Sequence, residues 1–182
     1  MKYLARFIMW LAGWKHKGEL PAEKKAVIIS VPHTSNWDFF WGELAFLSQG
    51  IPAFILMKKE FFFFPLGMIL RALNVIPVDR GNKDSQLVEQ MITEFKQRDS
   101  MYLCITPEGS RKKRKKWKKG FLVIAKAAGV PVYLGRIDYK GKYCEVGPLF
   151  YPTEDVDADL AYIMSTYHDA NPKYPENFSN GN

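Results

Sequence analysis

Short apolar runs alternate with helix-like patterns along most of this sequence. The first pair is residues 26–31, a run of β-branched and apolar side chains, and residues 37–47, where apolar side chains recur at helical spacing. Because strands joined by helices usually pair in parallel, the alternation predicts a single-domain α/β fold with a mainly parallel or mixed central sheet flanked by helices. The other predicted strands are residues 53–57, 74–78, 101–105, 130–137 and 143–146, and the other predicted helices are residues 66–73, a segment beginning at 84 or 85, residues 120–128 and residues 157–168.

The length of the chain allows one domain with its own core and excludes two large ones. It has 182 residues, of which 47% are hydrophobic and 25% are charged, as in ordinary globular proteins. No apolar run reaches the 18 or more residues that a transmembrane helix needs, so no such helix is expected. The 2 cysteines and 3 histidines are scattered without metal-binding spacing, and no metal is expected.

Residues 1–20 predict an N-terminal amphipathic interfacial helix ahead of the main domain, residues 21–182. Polar and basic residues lie at the ends of this segment, and apolar residues recur along it at helical spacing. Amphipathicity fits two arrangements: a helix lying flat on a membrane, or a terminal helix packed on the core. The apolar stripe comprises Leu4, Phe7, Ile8, Leu11 and Trp14, and Trp10 widens it.

One short segment carries most of the charge imbalance. The chain has a formal net charge of +7 from 26 basic and 19 acidic residues, and residues 111–119 contain eight of the cations. We call residues 111–119 the basic run. Like charges at this density repel one another, which indicates an anionic partner: nucleic acid, phospholipid head groups or an acidic carrier protein.

Three polar clusters follow three of the predicted strands, at residues 33–38, 79–82 and 107–111. If the strands are parallel, all three clusters lie at the carboxyl edge of the sheet, where open α/β folds bind ligands. In the first cluster, His33 can act as a general base for a hydroxyl while Asp38 fixes its tautomer. The structural alternative is that Asn36 caps a helix, that the helix dipole stabilises Asp38 in the first turn, and that His33 is an ordinary loop residue.

The motifs together resemble the glycerolipid acyltransferase family, of the lysophosphatidic-acid (1-acyl-glycerol-3-phosphate) acyltransferase type. That family shows an H-x-x-x-x-D motif, an arginine motif, a P-E-G-[TS]-R motif and a V-P-[VI] segment in this order. The corresponding residues here are His33 with Asp38, Arg80 with Gly81 and Asn82, Pro107-Glu108-Gly109-Ser110-Arg111, and Val130-Pro131-Val132.

The resemblance implies an O-acyltransferase, with residues 21–182 as the acyltransferase domain. A fatty acyl group would move from a thioester, acyl-CoA or acyl carrier protein, to a hydroxyl of a lysophospholipid, and no other cofactor is expected. His33 would be the general base oriented by Asp38. The implied substrate-binding residues are Arg80 and Arg111 for a phosphate, Glu108 to orient an arginine or a glycerol hydroxyl, and Gly109 and Ser110 in the same turn.

The implied localisation is peripheral, on the cytoplasmic face of the membrane. Basic side chains near an anionic leaflet and an amphipathic helix together provide the two signals that stable attachment needs. An acidic acyl carrier protein could use the same cations. The residues expected to contact an anionic surface are Lys2, Arg6, Arg111, Lys112, Lys113, Arg114, Lys115, Lys116, Lys118 and Lys119.

Two rival functions stay open at this stage. The first is a non-enzymatic basic module for anionic membranes or nucleic acid, with Trp117 stacking on a base, although no zinc-knuckle or helix-turn-helix signature supports nucleic acid. The second is a lipid hydrolase, although no serine lies in a G-x-S-x-G nucleophile elbow.

A cluster of four phenylalanines, residues 61–64, has two interpretations. Aromatic clusters usually pack in a core, and a cluster next to an active site can also line an acyl-chain groove.

Overall fold

The computed structural model describes residues 1–18, 21–78 and 84–179, and it confirms the α/β fold. Helices cover both faces of an eight-stranded mixed sheet. The strands are β1 (Lys15–Lys17), β2 (Lys25–Val31), β3 (Ala53–Lys58), β4 (Val75–Val78), β5 (Met101–Ile105), β6 (Val132–Asp138), β7 (Tyr143–Glu145) and β8 (Leu149–Phe150). The helices are α1 (Lys2–Leu11), α2 (Asn36–Gln49), α3 (Leu66–Ala72), α4 (Asp84–Gln97), α5 (Gly120–Ala128) and α6 (Val156–Ser165), with 3-10 turns at Lys59–Phe61 and Pro175–Asn177.

The sheet has the strand order β1-β7-β6-β2-β5-β3-β4, with β8 also paired to β6. From β6 to β4 all neighbours are parallel, whereas β7 and β8 run antiparallel to β6. β2 is central, and its Ile28 lies opposite Cys104 on β5 and Tyr133 on β6. The carboxyl ends of β2, β5 and β6 therefore meet at one edge of the sheet, and for β2 and β5 this is the arrangement that the sequence predicts.

Alternate residues of β2 enter two different cores. Val27 and Ile29 pack with α4, α5 and α6 on one face, and Ala26 and Ile28 face the side covered by α2. Because both faces are covered, every residue of β2 except its two polar ones, Lys25 and Ser30, is fully buried. This explains why β2 is a continuous apolar run without alternation.

Two strands were not predicted, and β6 begins two residues later than predicted. β1 has the sequence Lys-His-Lys and β8 has only two residues, so neither carries a hydrophobic period. β6 begins at Val132 instead of residue 130 because α5 ends in a left-handed cap at Gly129, where φ is 65°. The amide of Val130 is used in that cap, donating to the carbonyl of Ala125 at 2.9 Å.

The N-terminal helix α1 packs against α2 through one face only. Its small residue Ala5 and its Met9 are buried with Leu44 and Ala45 of α2. The guanidinium of Arg6 donates to the carbonyl of Ser48 at 2.9 Å, near the end of α2. Most of the predicted apolar stripe faces outward instead: Leu4, Phe7, Trp10 and Leu11 are all more than half exposed, and of its larger side chains only Trp14 is buried.

The phenylalanine cluster also departs from the core interpretation. Phe63 and Phe64 are 60% and 83% exposed, so for these two residues a core role is wrong. The acyl-chain groove stays a prediction. No helix in the described parts of the chain combines the length and the apolar character needed to cross a membrane.

Candidate active site

The loop between β2 and α2 is folded by its own short polar side chains. Ser35, rather than the predicted Asn36, is the N-cap of α2, and its hydroxyl accepts from the amide of Trp37 at 3.1 Å. The third residue of the helix, Asp38, completes a capping box because its Oδ2 accepts from the amides of Thr34 and Ser35, each at 2.7 Å. The helix start therefore fixes the Asp38 carboxylate beside the residues that follow His33.

His33 and Asp38 form the predicted pair. His33 Nδ1 lies 3.3 Å from Asp38 Oδ2, within reach of a hydrogen bond. The aspartate side chain is 2% exposed and the histidine side chain 21% exposed, so the carboxylate is hidden and the ring reaches the surface. A carboxylate on Nδ1 orients the ring and stabilises the imidazolium, which leaves Nε2 as the atom that can exchange a proton with a ligand.

Tyr139 is a member of this cluster that the sequence analysis missed. It follows the last residue of β6, the neighbour of β2, and its hydroxyl donates to Asp38 Oδ1 at 2.6 Å. Burial raises the pKa of Tyr139, as does its bond to the Asp38 carboxylate, so the phenol stays a donor. Its ring meets Trp14 edge-on at 5.1 Å. No sequence motif includes Tyr139. The one feature that could have pointed to it is its position directly after a strand that pairs with β2.

Glu108 holds the histidine loop from the other side. It lies three residues beyond β5, the second parallel neighbour of β2, and its Oε1 accepts from the backbone amide of His33 at 2.8 Å. Its Oε2 is buried and receives no hydrogen bond from the described residues. Burial raises the pKa of Glu108 to about 8, the His33 amide opposes that shift, and the charge of Asp38 adds to it. Glu108 is thus a buried carboxyl that supports the backbone of His33.

The turn that follows Glu108 brings Arg111 toward α2. Gly109 has φ of 62°, a left-handed conformation in which a Cβ would lie 3.2 Å from the Lys118 side chain. The hydroxyl of Ser110 accepts from the amide of Lys112 at 3.1 Å. The exposed guanidinium of Arg111 donates to the side-chain carbonyl of Asn36, the first residue of α2. The predicted arginine motif of Arg80, Gly81 and Asn82 lies outside the described residues.

The basic run is anchored by its tryptophan. Trp117 is 4% exposed, and its indole N–H donates to the carbonyl of Ser179 at 2.9 Å. The prediction that Trp117 could stack on a nucleobase is therefore wrong, because the ring packs between Tyr167 and Phe178. All eight cations of the run are exposed around this anchor.

Across residues 1–18, 21–78 and 84–179, no group of three or more histidine, cysteine or acidic side chains is placed to hold a metal ion.

Comparisons with known proteins agree with this architecture. The crystal structure of the 1-acyl-sn-glycerophosphate (LPA) acyltransferase PlsC from Thermotoga maritima has a similar fold, with a TM-score of 0.66 over 91% of this chain and 74% of that chain, at 17% identity. A search of curated proteins gives no match. The family model described as Acyltransferase matches residues 14–134, a span that includes His33, Asp38 and Glu108. Because this match covers well over half of the sequence, the chain belongs to the acyltransferase family.

Proposed function

We propose that this acyltransferase moves a fatty acyl group from a thioester to a free hydroxyl of a lysophospholipid such as 1-acyl-glycerol-3-phosphate. The observation that carries the proposal is the pair of His33 and Asp38, in which a buried carboxylate holds one nitrogen of a partly exposed imidazole. An alcohol has a very high pKa, so it needs a base as it attacks the thioester carbonyl. His33 is the side chain in the cluster suited to that task.

The proposed reaction needs no covalent acyl-enzyme. His33 Nε2 takes the proton of the acceptor hydroxyl while the oxygen attacks the thioester carbonyl carbon. The tetrahedral intermediate then collapses, the carbon–sulfur bond breaks, and the imidazolium returns the proton to the leaving thiolate. An ester and a free thiol are formed. Asp38 stabilises the imidazolium throughout, and Tyr139 and two backbone amides fix the position of Asp38.

The sequence suggests that Glu108 orients an arginine or a glycerol hydroxyl, and we propose a different role for it. Its bond to the His33 amide supports a role in positioning the histidine loop. Since burial raises its pKa to about 8, the carboxyl is largely protonated at neutral pH, and it adds little negative charge beside Asp38. We propose that Glu108 acts through the position of His33, which its hydrogen bond to the His33 amide supports.

The acceptor phosphate is proposed to bind Arg111 together with Arg80. Arg111 is exposed and its bond to Asn36 holds it over the first turn of α2, the helix that also carries Asp38. A planar guanidinium suits two-point contact with a phosphate. Gly109 and Ser110 form the turn that presents Arg111, and their contact with substrate stays a prediction, as does the role of Arg80.

Peripheral attachment to the cytoplasmic face of the membrane is part of the proposal. The exposed apolar face of α1 and the exposed cations of the basic run support it, since together they offer insertion and electrostatic attraction. Either acyl-CoA or acyl carrier protein fits this surface as the acyl donor, because each presents anionic groups to the same cations.

Mass spectrometry of the products tests the proposed function. The protein is incubated with acyl-CoA or acylated carrier protein and with either 1-acyl-glycerol-3-phosphate or the matching monoacylglycerol, which lacks the phosphate. We expect phosphatidate from the first acceptor and at least tenfold less diacylglycerol from the second. Release of free fatty acid alone would support a hydrolase instead, and equal use of both acceptors would contradict the arginine assignment.

A further inference from the structure

A second exposed apolar surface lies beyond the end of β3. Phe63, Phe64, Met68 and Ile69 are 60%, 83%, 64% and 56% exposed, and Phe61 beside them is 45% exposed. We call these five residues the aromatic patch. Single exposed apolar side chains are normal, but a contiguous group of large ones usually marks a surface that contacts a partner or a membrane. This patch comes from a different segment of the chain than the apolar face of α1.

The aromatic patch begins at the same edge of the sheet as the candidate active site. It follows the carboxyl end of β3, and β3 pairs in parallel with β5, whose carboxyl end leads to Glu108. The crossovers from β2 through α2 to β3 and from β3 through α3 to β4 step in the same direction along the sheet. With the right-handed connection that such units adopt, α3 lies on the face covered by α2 and α1.

The charges around the aromatic patch fit an anionic partner. Lys58 and Lys59 precede it and Arg71 follows its last residue, whereas Glu60 is the one carboxylate in this stretch. These side chains are exposed, and the Arg71 guanidinium lies 5.8 Å from the centre of the Phe62 ring. Rings bordered by cations with apolar stems match the head-group zone of a bilayer, where the rings insert and the cations stay with the phosphates. Two copies of the patch would bring like charges together.

We propose that the aromatic patch inserts into an anionic phospholipid bilayer and forms a second membrane contact, independent of α1 and next to the active site. The lipid acceptor then passes from the bilayer to His33 along the edge of the sheet without crossing water. The insertion itself is independent of the chemistry, and only the route of the acceptor rests on the proposed function.

Site-directed fluorescence tests the insertion directly. The native thiols of Cys104 and Cys144 are buried, and burial raises the pKa of each to about 12, so a new surface cysteine can be labelled selectively. Phe63→Cys and Met68→Cys, each in the otherwise intact chain, carry a nitrobenzoxadiazole label. On vesicles of phosphatidylcholine and phosphatidylglycerol we expect a blue shift and quenching by lipids with nitroxide-labelled acyl chains.

Two further labelled variants make the test specific. Phe7→Cys reports on α1 and should also respond, whereas Tyr162→Cys, 57% exposed on α6 across the sheet, should not. The proposal is overturned if the protein sediments with the vesicles while labels at 63 and 68 stay in water. It is also overturned if those labels respond to protein concentration without lipid, which would make a second copy of the chain the partner.

A loss-of-binding variant separates this proposal from the proposed function. Met68→Ser with Ile69→Ser, two exposed patch residues outside the phenylalanine cluster, should weaken vesicle binding about tenfold or more, as expected when two inserted apolar side chains are lost. The activity of this variant on a short-chain lysophosphatidate, at lipid concentrations too low for micelles to form, should match that of the unmodified protein. Insertion without any acyl transfer would contradict the proposed function alone, and acyl transfer with unaltered vesicle binding by the variant would contradict the insertion alone.

Discussion

The hydroxyl of Tyr139, at the end of β6, donates to Oδ1 of Asp38 at 2.6 Å, while His33 contacts Oδ2 of the same carboxylate. The two ends of one buried carboxylate are thus held by side chains from neighbouring strands. Amides of Thr34 and Ser35 also bond Oδ2, which leaves the carboxylate no alternative orientation. This arrangement makes Tyr139 a positioning residue for the proposed base.

Replacing Tyr139→Phe tests that assignment. A hydrogen bond to a charged group contributes about 1.5–3 kcal/mol, so kcat should fall by about tenfold or more. Without the phenol, Asp38 loses one of the hydrogen bonds that fix it, so the ring of His33 is held less firmly. The loss should fall on kcat while KM stays near its original value, as measured by steady-state assays.

The matched control for Tyr139 is Tyr102→Phe, which removes a hydroxyl that donates to the carbonyl of Glu23 at 2.9 Å, at the opposite edge of the sheet. This variant should keep both kcat and KM. A Tyr139→Phe enzyme with unchanged kcat and a lower free energy of unfolding would show that the hydroxyl only stabilises the fold.

Glu108 should make the stability of the protein depend on pH. Burial raises its pKa to about 8, whereas a glutamate in the unfolded chain titrates near about 4.3. Between these values the folded chain holds a proton that the unfolded chain has released, so this contribution to stability is complete at low pH and is lost as the pH rises toward 8. The loss approaches about 1.4 kcal/mol per pH unit.

The substitution Glu108→Gln removes that titration while its amide oxygen can still accept from the His33 amide. Free energies of unfolding from denaturant titrations at pH 5, 6.5 and 8 should show a shallower decline for the variant. Glu43, whose pKa burial raises to about 7, is present in both proteins and cancels from the difference. Equal slopes in the two proteins would contradict the assignment of Glu108 as a buried neutral acid.

The basic run should separate into one structural residue and a set of binding residues. Trp117→Ala removes a buried ring and should lower the free energy of unfolding by about 3–5 kcal/mol. The adjacent exposed pair Lys115→Ala and Lys116→Ala should leave thermal unfolding unchanged and weaken binding to anionic vesicles about tenfold, with a reduced salt dependence. Unchanged vesicle binding by the lysine variant would remove the run from the membrane contact.

The fold could be predicted from the sequence because its strands and helices have strong periods. β2 is an unbroken apolar run, α2 begins with polar capping residues, and the parallel order places residues after β2 and β5 at one edge. The pairing of His33 with Asp38 could also be predicted, since five residues of separation in a loop and the first helical turn bring the two side chains together. Strands β1 and β8 could not be predicted, because they are too short to show any hydrophobic period.

The partners of the predicted site residues required the three-dimensional structure. Tyr139 reaches Asp38 only because β6 lies beside β2, a neighbour relationship between residues 101 positions apart that no local pattern encodes. Glu108 was expected to orient an arginine or a glycerol hydroxyl, and its bond to the His33 backbone is a contact that the sequence did not reveal. The outward orientation of Phe63 and Phe64 depends on how the segment after β3 meets the sheet. Hydrophobicity alone predicts that these two rings are buried, whereas both are exposed.

The most direct test of the whole account is acyl transfer by the His33→Ala variant, measured by product mass spectrometry alongside vesicle sedimentation. The matched control is His168→Ala, an exposed histidine beyond α6. Since a general base contributes about 100- to 10,000-fold, we expect a loss of at least about 100-fold in kcat for His33→Ala, with vesicle binding and thermal unfolding preserved and with full activity in the control. Full turnover by His33→Ala would contradict the proposed mechanism.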